Sequence, residues 1–376
     1  MFKKVLFLFA FLLILGACTS RGTNTFTISG TVTSPDKVDY LLLKKEEDIE
    51  RKISKIIDSI PVAQDGSFRA SYDGEPHYYT LEIDKKKKVG LIIEKGDAVS
   101  ITIRDLGTAL NTEITGSKGS FDLLAYEIFR KKSLDRLVVT VRDQIKGLKK
   151  SGASADSIAI LGELELINYD KHLAELNTYI SENLKGSLAL YPTSLRWKGA
   201  DNMETYNKLV GEIEAKYPGM KITEKLREKV KRLQQTSLGG TVAAIEMPDA
   251  EGTLKALNQL QSDYVLIDFW ASWCAPCRRE APKLNELLTT YNRNQFDIYG
   301  VSLDDDRSKW LKALEKDQRH WTNVSTLERF ATPAAYDYAV TALPDNFLID
   351  KQGIIIAKNL HGEELSKTIT KLLDDN

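Results

Sequence analysis

Two cysteines three residues apart, Cys274 and Cys277, are the residues whose type and spacing most directly specify a chemistry. They stand in the stretch Val-Leu-Ile-Asp-Phe-Trp-Ala-Ser-Trp-Cys-Ala-Pro-Cys-Arg-Arg, Val265 to Arg279. Tyr264 to Trp270 is an apolar run of β-formers interrupted only by Asp268, the pattern of a strand buried on both faces. A short turn follows, and a helical pattern opens at Cys274 with Pro276 in its first turn, where a missing N–H costs nothing. Cys274 therefore falls at the positive end of a helix, beside unsatisfied backbone N–H groups. That setting favours a thiolate, the attacking species. Cys277 lies near enough to close a disulfide back onto it. The local chemistry is thiol–disulfide exchange.

Composition removes the competing uses of cysteine. The chain of 376 residues has three cysteines, Cys18, Cys274 and Cys277. A disulfide-stapled scaffold is excluded, and so is a four-cysteine zinc site within one chain. His77, His172, His320 and His361 are scattered without metal-ligand spacing, so no metal and no cofactor is expected. A formal net charge of −1 gives no field for nucleic acid, and no basic stripe stands out apart from Lys85 to Lys88, which is expected to be a solvated hairpin loop. With 42% hydrophobic content the chain is long enough for two or three cores.

The N-terminus carries an address. Lys3 and Lys4 precede an apolar run, Val5 to Leu15, too short to span a bilayer as a mature helix. It ends in Leu15-Gly16-Ala17-Cys18, which resembles a bacterial lipoprotein signal. The resemblance implies a signal peptide over 1–17, a lipidated Cys18 and a tether over 18–25. Several acyl chains on Cys18 would give stable membrane attachment. No acidic residue follows Cys18 closely, which in such lipoproteins favours the outer over the inner membrane, facing the periplasm.

Three regions follow. Over 26–115, alternation at Phe26, Ile28 and Val32, the Asp65-Gly66 turn, and short apolar runs at 91–93 and 99–103 predict an all-β domain, a small sandwich or open barrel. Over 116–240 the spacing is helical, with Phe121, Leu124, Ile128, Leu134 and Val138 as the apolar positions. This segment is expected to be a connector that packs on the β domain or carries a dimer contact, without site residues. Over 241–376 strand and helix signals alternate. Phe296 to Val301 is a second apolar strand, Asp304-Asp305-Asp306 a loop or helix start, and Phe347 to Asp350 with Ile354 to Ile356 an antiparallel hairpin. Glu363 to Leu373 closes the chain as an amphipathic helix. A CxxC at a strand-to-helix junction in such a segment is a thioredoxin-like signal.

The stretch Ile267 to Cys277 resembles the thioredoxin active-site strand and turn almost position for position. Pro282 stands where thioredoxins place a kinking proline, and Leu343-Pro344 followed by Phe347 to Gly353 resembles their cis-proline loop and closing hairpin. The residues around Trp310 and Trp321 are similar to the insertion of TlpA/ResA-like membrane-anchored thioredoxins. The order of lipobox, β domain, helical linker and thioredoxin module resembles lipoproteins of the Bacteroidetes type. The expected fold class is therefore multi-domain: an all-β domain, a helical linker, and a C-terminal α/β thioredoxin-like fold.

The resemblance also implies roles. Cys274 attacks a substrate disulfide and Cys277 resolves the mixed disulfide. Asp268 matches the buried carboxylate beneath the second cysteine and relays its proton, with a pKa raised by burial. Pro344, if cis, presents the Leu343 backbone to substrate, and Trp273 offers an apolar wall. Arg278 and Arg279 either favour the thiolate or only solubilise the helix. The function implied is a membrane-anchored periplasmic disulfide reductase for protein thiols and disulfides, including those of cytochrome maturation, recharged by a membrane electron donor of the DsbD type. The alternatives are an oxidase or isomerase on the same fold, or a non-enzymatic binding lipoprotein acting through the β domain. Ala271, three before Cys274, stands where peroxiredoxins use threonine, which weighs against a peroxidase.

Overall fold

The structure is a computed structural model that describes residues 25–33, 38–84, 87–104, 111–198 and 202–374. The expected signal peptide and Cys18 lie outside them, as does most of the expected tether. Among the described residues, no helix is long and apolar enough to cross a membrane.

The alternating N-terminal sequence forms eight strands: β1 (Thr25–Val32), β2 (Tyr40–Asp48), β3 (Ile53–Pro61), β4 (Ser67–Asp73), β5 (His77–Asp84), β6 (Lys87–Ile93), β7 (Ala98–Ile103) and β8 (Thr112–Thr115). They make two four-stranded sheets, β4-β1-β7-β8 and β3-β2-β5-β6. The inward positions of both sheets, among them Phe26, Ile28, Leu43, Leu81 and Ile101, share one core, so the region is a sandwich. Gly30 permits the close β1–β7 pairing, because a Cβ there would sit 1.8 Å from the Ile101 carbonyl oxygen. Lys87 and Lys88 open β6 opposite Asp84 and Glu82, so the basic run is partly strand and not all loop.

The middle of the chain is helical: α1 (Lys118–Leu134), a π-helical turn at Asp135–Val139, α2 (Thr140–Lys150), α3 (Ala155–Asn183), α4 (Leu190–Thr193), α5 (Met203–Lys216) and α6 (Lys221–Gln235). Ser117 caps α1 and Ser154 caps α3. The expected inward face of α1 is rotated: Phe121 is 60% exposed, whereas Leu123 and Tyr126 are buried. The cause is polar. The hydroxyls of Ser117 and Ser120 both donate to the Ile92 carbonyl, at 2.6 and 2.8 Å, and this fixes the helix's rotation on β6. The helical core includes Leu176, Ile180, Leu209 and Ile213, with Trp197 stacked on Tyr206 at 4.5 Å.

This helical layer touches both neighbours. α6 grips the β2–β3 turn through Lys225–Asp48 at 2.7 Å, Lys229–Glu50 at 2.5 Å and Arg232–Glu50. Beyond it come a short hairpin, β9 (Glu246–Pro248) and β10 (Leu254–Ala256), and then the α/β unit. That unit comprises β11 (Tyr264–Trp270), α7 (Ala275–Thr290), β12 (Phe296–Ser302), α8 (Arg307–Lys316), β13 (Thr322–Val324), α9 (Pro333–Asp337), β14 (Asp345–Asp350), β15 (Ile355–Lys358) and α10 (Gly362–Asp374). Its sheet runs β13-β12-β11-β14-β15, with β11, β12 and β13 parallel and β14 and β15 antiparallel. β11 is central and buried, and its C-terminal end delivers the cysteine turn.

Candidate active site

The turn after β11 is pinned from below. Ser272 donates through its backbone N–H and its hydroxyl to the Asp304 carboxylate, at 2.9 and 2.5 Å. Ser302, the last residue of β12, donates to the same carboxylate at 2.8 Å. Asp304 is 1% exposed. The acidic run thus divides its labour: Asp304 anchors the turn, Asp305 pairs with Arg329, and Asp306 caps α8. The capping was visible as a helix start; the anchoring was not.

Cys274 is the N-cap of α7, and its sulfur accepts a hydrogen bond from the Cys277 N–H at 3.2 Å. The two are joined in a disulfide, S–S 1.99 Å and Cα–Cα 5.4 Å. The Cys274 sulfur thus lies at the positive end of a 16-residue helix. Both cysteines are largely covered, at 4% and 1% exposure.

Trp273 stays 42% exposed, with the Phe330 ring 6.1 Å away and the Arg329 guanidinium 5.2 Å above it. The Leu343–Pro344 peptide is cis. Leu343 packs against the cluster of Trp270, Ala271, Cys274 and Cys277, and Pro344 is buried at the entry to β14. Trp273, Cys274, Pro276 and Leu343 line one cleft of about 390 Å³. A larger cavity of about 510 Å³ lies between the sandwich and α1, but Lys44 pairs with Glu82 and Arg130 with Glu127 there, and no cysteine lines it.

Asp268 is buried in β11, and its partner is Arg319, a residue that the sequence reading missed. Arg319 donates to the Asp268 carboxylate at 2.8 Å and to the Cys277 carbonyl at 2.8 Å, with its guanidinium 3.9 Å over the Trp270 ring. Its side chain is fully buried. Burial pushes the Asp268 carboxyl above its ordinary value, and the Arg319 charge and hydrogen bond pull against that rise. A carboxylate inside an apolar strand demands a cation. Which of 52 lysines and arginines supplies it is a tertiary fact.

The two arginines after the motif are both engaged. Arg278 pairs with Asp317 and donates to the Ser272 carbonyl at 3.2 Å. Arg279 donates to Glu165 of α3 at 2.6 Å, and Arg142 of α2 donates to the other oxygen of Glu165, also at 2.6 Å. Gly162 makes room for this strut, since a Cβ there would meet Arg279 Nε at 2.8 Å. The helical segment is therefore not a plain connector. Arg142, Ile145, Lys146, Lys149 and Glu165 form the second wall of the cysteine cleft.

A CxxC disulfide capping the helix after a central strand, beside a cis-proline loop, is the arrangement of a thiol–disulfide oxidoreductase of the thioredoxin fold. The family model and the relatives by sequence agree. The AhpC/TSA family model matches residues 238–358, and a domain of unknown function, DUF4369, matches residues 26–123. A thiol:disulfide interchange protein DsbE homolog of Paracoccus denitrificans is 30% identical over 151 residues, 39% of this chain and 79% of that protein. Thiol-disulfide oxidoreductase ResA of Geobacillus thermodenitrificans is 31% identical over 117 residues, 31% of this chain and 66% of that protein. Among solved structures, the thioredoxin domain of a Bacteroides vulgatus thiol-disulfide oxidoreductase aligns at 34% identity with a TM-score of 0.35, covering 36% of this chain and 97% of that one. The chain belongs to the thioredoxin-family thiol-disulfide oxidoreductases of the ResA/DsbE type.

Proposed function

We propose that the protein is a disulfide reductase, held on the periplasmic side of a bacterial membrane by a lipidated Cys18, that reduces disulfides of exported proteins. The observation that carries this reading is the Cys274 sulfur at the head of α7, hydrogen-bonded by the Cys277 N–H and opening onto the Leu343 cleft. In the reduced protein the Cys274 thiolate attacks a substrate disulfide; a Cys274–substrate disulfide forms and one substrate thiolate leaves, taking up a proton. Cys277 then loses its proton and attacks the Cys274 sulfur, and the second substrate thiolate leaves. Two electrons pass from the dithiol to the substrate, and Cys274–Cys277 is left oxidised. Asp268, tied to the Cys277 carbonyl through Arg319, is the group proposed to receive the Cys277 proton. Trp273 is proposed as an apolar wall for the incoming segment, and the Leu343 main chain, set by Pro344, as the edge along which it lies. The spent disulfide must be re-reduced from outside, by a membrane electron donor of the DsbD type.

Ala275-Pro276 between the cysteines resembles the reducing members of the fold. The direction is tested by the reduction potential of the pair. A value near or below about −270 mV supports a reductase, and one near about −120 mV makes the protein an oxidant.

A further inference from the structure

The wall that α2 adds to the cysteine cleft has a chemical character of its own. Arg142, Lys146 and Lys149 follow one another at intervals of four and three residues, which places them along one face of α2. With a rise of 1.5 Å per residue they form a ridge about 10 Å long. Ile145, 4% exposed, sits between them and faces the cleft with Leu343, Trp273 and Pro276. Arg279 adds a fourth cation from α7. The lining holds one carboxylate, Glu165, which is buried and already bound by Arg142 and Arg279. Asp143 pairs with Lys146 at 2.8 Å from outside the lining. Four cations against these two carboxylates leave the cleft positive by two beside the sulfur, in a chain whose formal net charge is −1. The positive charge is local.

We infer that α2 is a substrate-selecting wall, and that the cleft takes a protein segment in which the reacting cysteine is flanked by aspartate or glutamate. This deepens the reductase reading and rests on it. An extended segment laid along Leu343 puts apolar side chains against Ile145 and Trp273, while its alternate residues, on the opposite face, reach the Arg142–Lys146–Lys149 ridge. Complementary charge at the rim acts on the rate of encounter and screens out with salt.

The test uses the full-length reduced protein and two synthetic peptides, each with the same disulfide, flanked in one by three glutamates and in the other by three glutamines. The glutamate peptide is expected to be reduced with a kcat/KM roughly tenfold higher at low ionic strength, and the ratio to fall towards one in 0.5 M salt. Both lysines are exposed, so Lys146→Glu/Lys149→Glu keeps the fold, and it is expected to reverse the preference. Equal rates on the two peptides with wild-type protein overturn the inference and leave the reductase reading standing. A preference that survives the double substitution also overturns it, by placing the selecting charge elsewhere. Failure to reduce either peptide overturns the reductase reading, and the inference with it.

Discussion

Arg319→Met removes the cation beneath the active site while keeping an apolar stem against Trp270. In the native protein the guanidinium makes one hydrogen bond to Asp268 and one to the Cys277 carbonyl, and both are fully buried. Where Asp268 is ionised, removing its partner strands a buried charge, which costs about 3–5 kcal/mol. Where Asp268 is protonated the stranded charge disappears, and the remaining loss is the bond to the Cys277 carbonyl, about 1.5–3 kcal/mol. The sign follows from linkage. Arg319 opposes the upward push of burial on Asp268, so its removal lifts the folded-state pKa further above the unfolded value. Such a group contributes stability that is fully present below the unfolded pKa and lost as pH rises through the folded one, at about 1.4 kcal/mol per pH unit. The loss relative to wild type should therefore be larger at pH 8 than at pH 5, moving from the protonated-partner range of about 1.5–3 kcal/mol towards the ionised-partner range of about 3–5 kcal/mol as Asp268 loses its proton. Urea unfolding of the oxidised protein, followed by tryptophan fluorescence because Trp270 and Trp321 flank Arg319, measures both values. Adding Asp268→Asn to Arg319→Met should recover most of the pH 8 loss. An equal loss at the two pH values, or no recovery in the double variant, refutes this account of the pair.

Other outcomes follow from the same geometry. His172, buried beside Ser133 at 2.7 Å, has its pKa pushed down to about 4, by burial first and by Arg130 and Arg196 next. Its contribution is present above the unfolded value and lost as pH falls from about 6.5 towards about 4. The Tm should drop across that window by the equivalent of roughly 1–2 kcal/mol, screened below the full shift, and His172→Gln should flatten the drop. Glu165→Ala cuts the strut between α3 and α7 and leaves Arg142 and Arg279 without their carboxylate. A loss of roughly 2–3 kcal/mol is expected, below that of a fully buried pair because Arg142 is 45% exposed, together with faster alkylation of reduced Cys274. Gly162→Val should reproduce the faster alkylation, since the new Cβ displaces Arg279 from Glu165. Asp304→Ala releases three donors that fix the cysteine turn, and should lower kcat/KM more than it lowers stability.

What could be read from the sequence is what local sequence controls. Tyr264 to Trp270, the Cys274 cap with Pro276 and the closing hairpin each announce themselves within a few residues, because strand burial, helix capping and turns are short-range choices, whereas the Leu343–Pro344 loop was legible only through the resemblance to thioredoxins. The groups that complete the site come from afar. Arg319 reaches Asp268 across 51 residues, Asp304 reaches Ser272 across 32, and Glu165 reaches Arg279 across 114. No periodicity encodes those encounters. Phe121 illustrates the complementary failure. Its spacing is that of a buried helical position, yet two serine hydroxyls on the Ile92 carbonyl turn it to solvent. The helical segment looked like a connector because a wall of Arg142, Lys146 and Lys149 is, in sequence, indistinguishable from a solvated helix face.

The central claim is that Cys274, at the head of α7, is the attacking sulfur. It is tested most directly by intact-mass measurement of the reduced Cys277→Ser protein after mixing with a disulfide-bearing peptide. One peptide adduct per active site, mapped to Cys274 and released by dithiothreitol, is the expected result, with no such adduct in Cys274→Ser. An adduct that forms on Cys277 in Cys274→Ser as readily as on Cys274 in Cys277→Ser, or none in either, contradicts it.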